Sequence, residues 1–174
     1  LIDADLRKPK VHKNFDLFRK PGLTEALMHH QQLNPLDEVF AQRTGEELPQ
    51  VSPLAMCNRI REVPNLYDMT AGEKVPHPAE LLNSKRMADF IDQLRAEVDI
   101  VIFDTPPLLA VTDAQIMGRM VDGTILVIDT QKTSGGAVYR ALETLVQVNV
   151  PIMGAVLNRV SGSGHGYYYY TYDY

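Results

Sequence analysis

Short apolar runs alternate along this chain with segments in which apolar residues recur every three or four positions. Asp99-Ile100-Val101-Ile102-Phe103 is apolar after its first residue and ends in Asp104. A run of this kind predicts a parallel strand buried on both faces. Thr124 to Ile128 predicts another such strand, and Ile152 to Leu157 a last one. Leu66 to Ala71 predicts a strand stopped at Gly72, and Leu1-Ile2-Asp3-Ala4-Asp5 reads as the end of a buried strand.

Helical periods fill the intervals. From Lys85 to about Glu97, the residues Met87, Phe90, Ile91 and Leu94 fall at i, i+3, i+4 and i+7 and predict an amphipathic helix. Pro78 is placed where a helix can begin without losing a hydrogen bond, and Ala79 to Leu82 continue it. Leu23 to His30, with Leu23, Ala26 and Leu27 on one face, and Ala137 to Gln147 predict two more. Asp113, following Thr112, reads as the first residue of a further helix. Arg7-Lys8-Pro9-Lys10-Val11-His12-Lys13 is expected to be a loop, because Pro9 opposes a continuous helix. Residues 44 to 64, with scattered Pro, Gly and charge, are expected to be irregular. Strands alternating with helices predict an α/β fold: a mostly parallel twisted sheet with right-handed crossovers and helices on both faces, three layers in all.

Composition sharpens this picture. At 174 residues and 45% hydrophobic, the chain can build one sizeable core. One domain over residues 1–160 is expected, followed by a flexible tail over 161–174. A single cysteine, Cys57, excludes an internal disulfide framework and points to a reducing, cytoplasmic setting. The net charge of -5 argues against a nucleic-acid partner. No apolar run approaches the roughly 20 residues that cross a bilayer.

In parallel sheets, ligands bind beyond the carboxyl ends of the strands. Asp3, Asp5 and Asp104 all fall there. A carboxylate that ends an apolar strand is solvated, paired or bound to a cation. Asp104 therefore either contacts a hydrated Mg²⁺ on ATP phosphates or caps the following turn. Asp3 and Asp5 are two positions apart, so in an extended strand both face one site. There, one carboxylate could take a proton from an attacking hydroxyl while another supports the metal. The alternative is that Asp5 begins a turn and pairs with Arg7 or Lys8.

Taken in order, these segments resemble the bacterial tyrosine kinases of exopolysaccharide and capsule synthesis, which are deviant P-loop ATPases. Leu1-Ile2-Asp3-Ala4-Asp5-Leu6-Arg7-Lys8-Pro9 is similar to the family's Walker A′ strand, and Val101-Ile102-Phe103-Asp104-Thr105-Pro106-Pro107 to its Walker B element. Pro76-His77-Pro78-Ala79-Glu80-Leu81-Leu82 resembles its proline-flanked segment, and Leu157-Asn158-Arg159-Val160 the place where related ATPases read adenine. The resemblance implies a P-loop-type kinase domain using ATP and Mg²⁺. Asp3, Asp5 and Asp104 would be catalytic, with Asp104 and Asp5 on the metal, and Arg7, Asn158 and Arg159 would bind nucleotide or, for Arg7, a neighbouring subunit. Asn158 can equally start a turn, and the basic residues around Arg7 can form a solvated loop.

The resemblance also implies an enzyme that autophosphorylates and regulates polysaccharide synthesis or export at the inner face of the plasma membrane. Its implied partners are copies of itself in a ring, a membrane polysaccharide co-polymerase or activator domain, and a tyrosine phosphatase. Tyr167, Tyr168, Tyr169, Tyr170, Tyr172 and Tyr174 are the implied acceptors, tethered by the small residues Ser161 to Gly166. One departure is clear: no Gly is followed by Lys, whereas the family cradles phosphate in a loop ending Gly-Lys-Ser/Thr. The expectation is a fragment that opens in the Walker A′ strand and binds ATP poorly alone. Other functions compatible with the segments are a partition or division-site ATPase switch and a non-catalytic phosphoacceptor module. His29 and His30 are expected on a solvated face, Tyr67 and Tyr139 partly buried, and Cys57 chemically idle.

Overall fold

The computed structural model describes residues 1–29 and 52–160. His30, residues 44–51 and the tyrosine tail lie outside them. The chain divides into two compact units, Leu1–Met120 and one beginning at Val121.

In the first unit, β1 (Ile2–Asp3) pairs in parallel with β4 (Phe103–Asp104), which sets Asp3 opposite Asp104. On the other side of β1, Ile2 bridges Met69 in parallel, just past β3 (Tyr67–Asp68). β3 in turn pairs antiparallel with β2 (Asn58–Arg59). The segment expected to be irregular therefore contains a strand, preceded by a 3₁₀ turn over Pro53–Met56 that Ser52 caps. Two-residue strands with mixed polarity carry no periodic signal, which is why pattern misses them.

Helices cover this ladder. α1 (Val11–Asn14) adds one turn of helix where a loop was expected. α2 (Leu23–His29) buries Leu23, Ala26 and Leu27, the predicted face. Glu25 fixes its start by accepting the N–H groups of Gly22 (2.8 Å) and Glu73 (2.9 Å). Gly72, at φ +82°, adopts a left-handed conformation that side chains rarely reach. α3 (Pro78–Leu82) begins at its proline, and α4 (Lys85–Glu97) begins at Ser84, whose hydroxyl accepts the Met87 N–H. Met87, Phe90, Ile91 and Leu94 are buried as the period predicted, in one core with Ile2, Ala4, Leu6 and Met69. α5 (Asp113–Gly118) packs on α3.

In the second unit, β5 (Thr124–Asp129) and β6 (Ile152–Asn158) form a parallel pair. α6 (Gly135–Gln147) buries Ala141 and Leu145. Burial corrects the sequence reading in two places. Ile100 and Ile102 are 77% and 60% exposed, and Ile125 and Val127 are exposed as well. β4 begins only at Phe103, so Ile100 and Ile102 precede the strand, and each of β4 and β5 pairs along one edge among the described residues. Tyr139, expected to be partly buried, is 65% exposed on α6, whereas Tyr67 is half-buried as expected.

Candidate active site

The parallel register of β1 and β4 brings two carboxylates to one sheet end, and the loop after β1 folds back to add a third. Asp3 is fully buried. Its Oδ1 accepts the Asp5 N–H (3.2 Å), and its Oδ2 accepts those of Lys10 and Val11 (both 3.1 Å). Burial raises the Asp3 carboxyl above its ordinary range, the Val11 N–H opposes this most strongly, and the Asp104 charge raises it again. Asp5 begins a turn, its Oδ1 accepting the N–H groups of Arg7 (3.1 Å) and Lys8 (2.9 Å). The turn reading of Asp5 and its place in the carboxylate corner thus hold together.

Asp104 differs from both. It is exposed, and its carboxylate has no hydrogen bond or ion pair with a described residue. Partial desolvation at the strand end raises its proton affinity, and the Asp5 charge adds to this. Among the described residues no group of three or more His, Cys, Asp or Glu could hold a metal ion unaided. Mg²⁺ does not need one, since it keeps several waters and takes one or two carboxylates together with substrate phosphates. An unpaired Asp104 beside Asp5 fits that demand.

Arg7 is committed elsewhere than a loop in solvent. Its Nε and Nη2 each donate to Asp113 at 2.8 Å, a two-bonded fork onto a fully buried carboxylate at the start of α5. This pair raises the Arg7 pKa further. Sequence reading placed Asp113 only as a helix start, and nothing in the spacing of residues 106 apart could have joined it to Arg7. Asp68, also unnoticed, is fully buried on β3 with neither oxygen hydrogen-bonded. Desolvation pushes it up to about 6, offset in part by the Leu1 amine.

Asn158 and Arg159 belong to the second unit, at the end of β6 opposite Asp129. The Asn158 Oδ1 accepts the Arg159 N–H (2.8 Å), with Arg159 at φ +58°. Arg159 Nη1 contacts Asp129 Oδ2 at 3.2 Å. Asn158 therefore starts a turn, and its amide nitrogen has no hydrogen bond to a described residue.

Parallel strand pairs with helices packed against them make an α/β fold, of the P-loop-like kind found in kinase domains. The chain superposes on solved kinase domains of one kind. The VpsO kinase domain matches at a TM-score of 0.74 and 31% identity, over 92% of this chain and 69% of that one. The kinase domain of the Escherichia coli tyrosine kinase Etk matches at a TM-score of 0.75 and 31% identity, over 98% of this chain and 59% of that one. Tyrosine-protein kinase YwqD of Bacillus subtilis is 39% identical over 165 residues, 95% of this chain and 61% of YwqD. The chain belongs to the bacterial tyrosine kinase family. It spans about three fifths of the length of the first curated relatives it matches. No protein-family model matches it.

Proposed function

We propose that this chain is part of an ATP-dependent protein-tyrosine kinase that phosphorylates its own tyrosine cluster and regulates capsule or exopolysaccharide synthesis. The observation that carries the reading is the unpaired Asp104 carboxylate at the end of β4, with Asp3 and Asp5 beside it. Asp104 and Asp5 would hold Mg²⁺, which when bound neutralises charge on the transferred phosphate. Asp3, expected to be catalytic, fits loop support better, because its oxygens accept three backbone N–H groups away from solvent. Asp5 and Asp104 are then the carboxylates that face substrate. In this reading Asn158 contacts adenine through its amide nitrogen, and phosphate cradling needs a Gly-Lys-Ser/Thr loop that these residues do not supply.

The acceptors are Tyr167, Tyr168, Tyr169, Tyr170, Tyr172 and Tyr174, six of the last eight residues. Their six-residue tether reaches at most about 20 Å, which favours a neighbouring copy's site within an oligomer. Each phosphate adds roughly 1.5 to 2 negative charges, so a phosphorylated tail is repelled by the carboxylate corner and the oligomer loosens. A membrane co-polymerase domain and a tyrosine phosphatase complete the proposed cycle at the inner membrane face.

The test uses the protein extended upstream through a Gly-Lys-Ser/Thr loop. Asp104→Ala should lower incorporation of labelled phosphate into tyrosine by at least about 100-fold. Undiminished incorporation removes Asp104 from the mechanism.

A further inference from the structure

We propose that Asp113 is a positioning residue for phosphoryl transfer: through Arg7 it fixes the loop that carries Asp5 against the end of β4. The proposal rests on the kinase reading above for its effect on the reaction, and on geometry alone for the clamp. Residues 5 to 10 are held from within by Asp3 and Asp5. Among the described residues, the Arg7 fork is the loop's polar tie to an element other than β1 and α1. That element is α5, which follows Asp104 along the chain as the loop follows Asp3. The clamp thus joins the segment leaving one strand of the ladder to the segment leaving the other. It sets how far Asp5 stands from Asp104.

Three features suit Asp113 to this task. It is 0% exposed, so water does not compete for its oxygens. Both oxygens are occupied by a planar fork that Lys cannot reproduce. Its place in the first turn of α5 is one a negative charge favours, and the Thr112 side chain supplies no competing cap. Arg7, by contrast, has its side chain 38% exposed, so the buried acid anchors the pair and the arginine transmits it.

The upstream-extended protein, with Asp113→Asn, Arg7→Lys, Arg7→Ala, Asp113→Ala and the last two combined, tests this by hydrogen exchange and by kinetics. Asp113→Asn keeps the side-chain shape and Arg7→Lys keeps the charge, where the alanine variants could unfold. Exchange at the Asp5, Lys10 and Val11 amides should quicken by about tenfold or more in Asp113→Asn, while Phe90 and Leu94 in α4 stay protected. Turnover should fall by about 30-fold with ATP half-saturation within threefold, and Mg²⁺ half-saturation should rise. The double alanine variant should lose no more than either single one. Unchanged loop exchange, a uniform quickening that includes α4, or additive losses would each overturn the proposal. If the unsubstituted extended protein transfers no phosphate, the kinase reading falls, and the exchange comparison still decides the clamp.

Discussion

The two parallel ladders of this chain end in the same way and behave differently. β1 and β4 end with Asp3 opposite Asp104, and β5 and β6 end with Asp129 opposite Asn158. At the first end the chain continues into a loop that folds back, buries Asp3 and points three N–H groups at it. At the second, the next residue turns sharply, and Arg159 neutralises Asp129 in the open. Like charges collect at one end and opposite charges pair at the other. Register alone therefore does not make a site: the segment leaving the strand decides whether a terminal carboxylate is neutralised locally or left without an ion-pair partner among the described residues.

Substitutions can break this contrast. Asp3→Ala removes the acceptor of three backbone N–H groups and should destabilise the first unit by about 3 kcal/mol, read as a lower denaturant midpoint. A loss below about 1 kcal/mol would show that the loop stands without it. Next comes Asp68, whose folded pKa of about 6 lies above its ordinary value. Its contribution to stability is therefore full below pH 4 and is lost as pH rises through 6. Relative to Asp68→Asn, the unsubstituted chain should lose about 2 kcal/mol between pH 4 and pH 7, and parallel pH profiles would show that Asp68 does not titrate there.

At the opposite end the effects are smaller. Asn158→Ala in the upstream-extended protein should weaken ATP about tenfold by calorimetry while leaving GTP nearly unchanged. Equal losses for both nucleotides would make Asn158 a turn residue only. Smallest of all, Asp129→Ala should change stability by less than about 0.5 kcal/mol, because its partner is half in water. A larger loss would mean that the second ladder relies on its ion pair as the first relies on Asp3.

Much of this was legible in sequence where one signal was sufficient. The α4 helix announced itself through four apolar residues at helical spacing, whereas the Ser84 cap at its start emerged only in the structure. The carboxylates at the ends of β1 and β4 were legible because apolar runs ended on them. The exposure of Ile100 and Ile102 was not, since an apolar run reports a strand's character and says nothing of its neighbours. Nor was the tie between Arg7 and Asp113, because a contact across 106 positions leaves no local period. Asp3 lay between these cases: its location was readable, but its engagement with Lys10 and Val11 depends on how the loop curls.

That curl has a consequence for assembly order. The hydrogen bonds that the Asp3 carboxylate accepts from described residues come from within eight residues of it, so the loop belongs to the class of contacts that close in about 10–100 ns. The Arg7 fork spans 106 residues and must wait for α5 to arrive. Contacts of long sequence separation form late and slow the whole chain, while local ones can precede them. A folding experiment on variants at these positions should then find Asp3 contributing early and Asp113 late: the nest is woven first, and the latch that fastens it is thrown at the end.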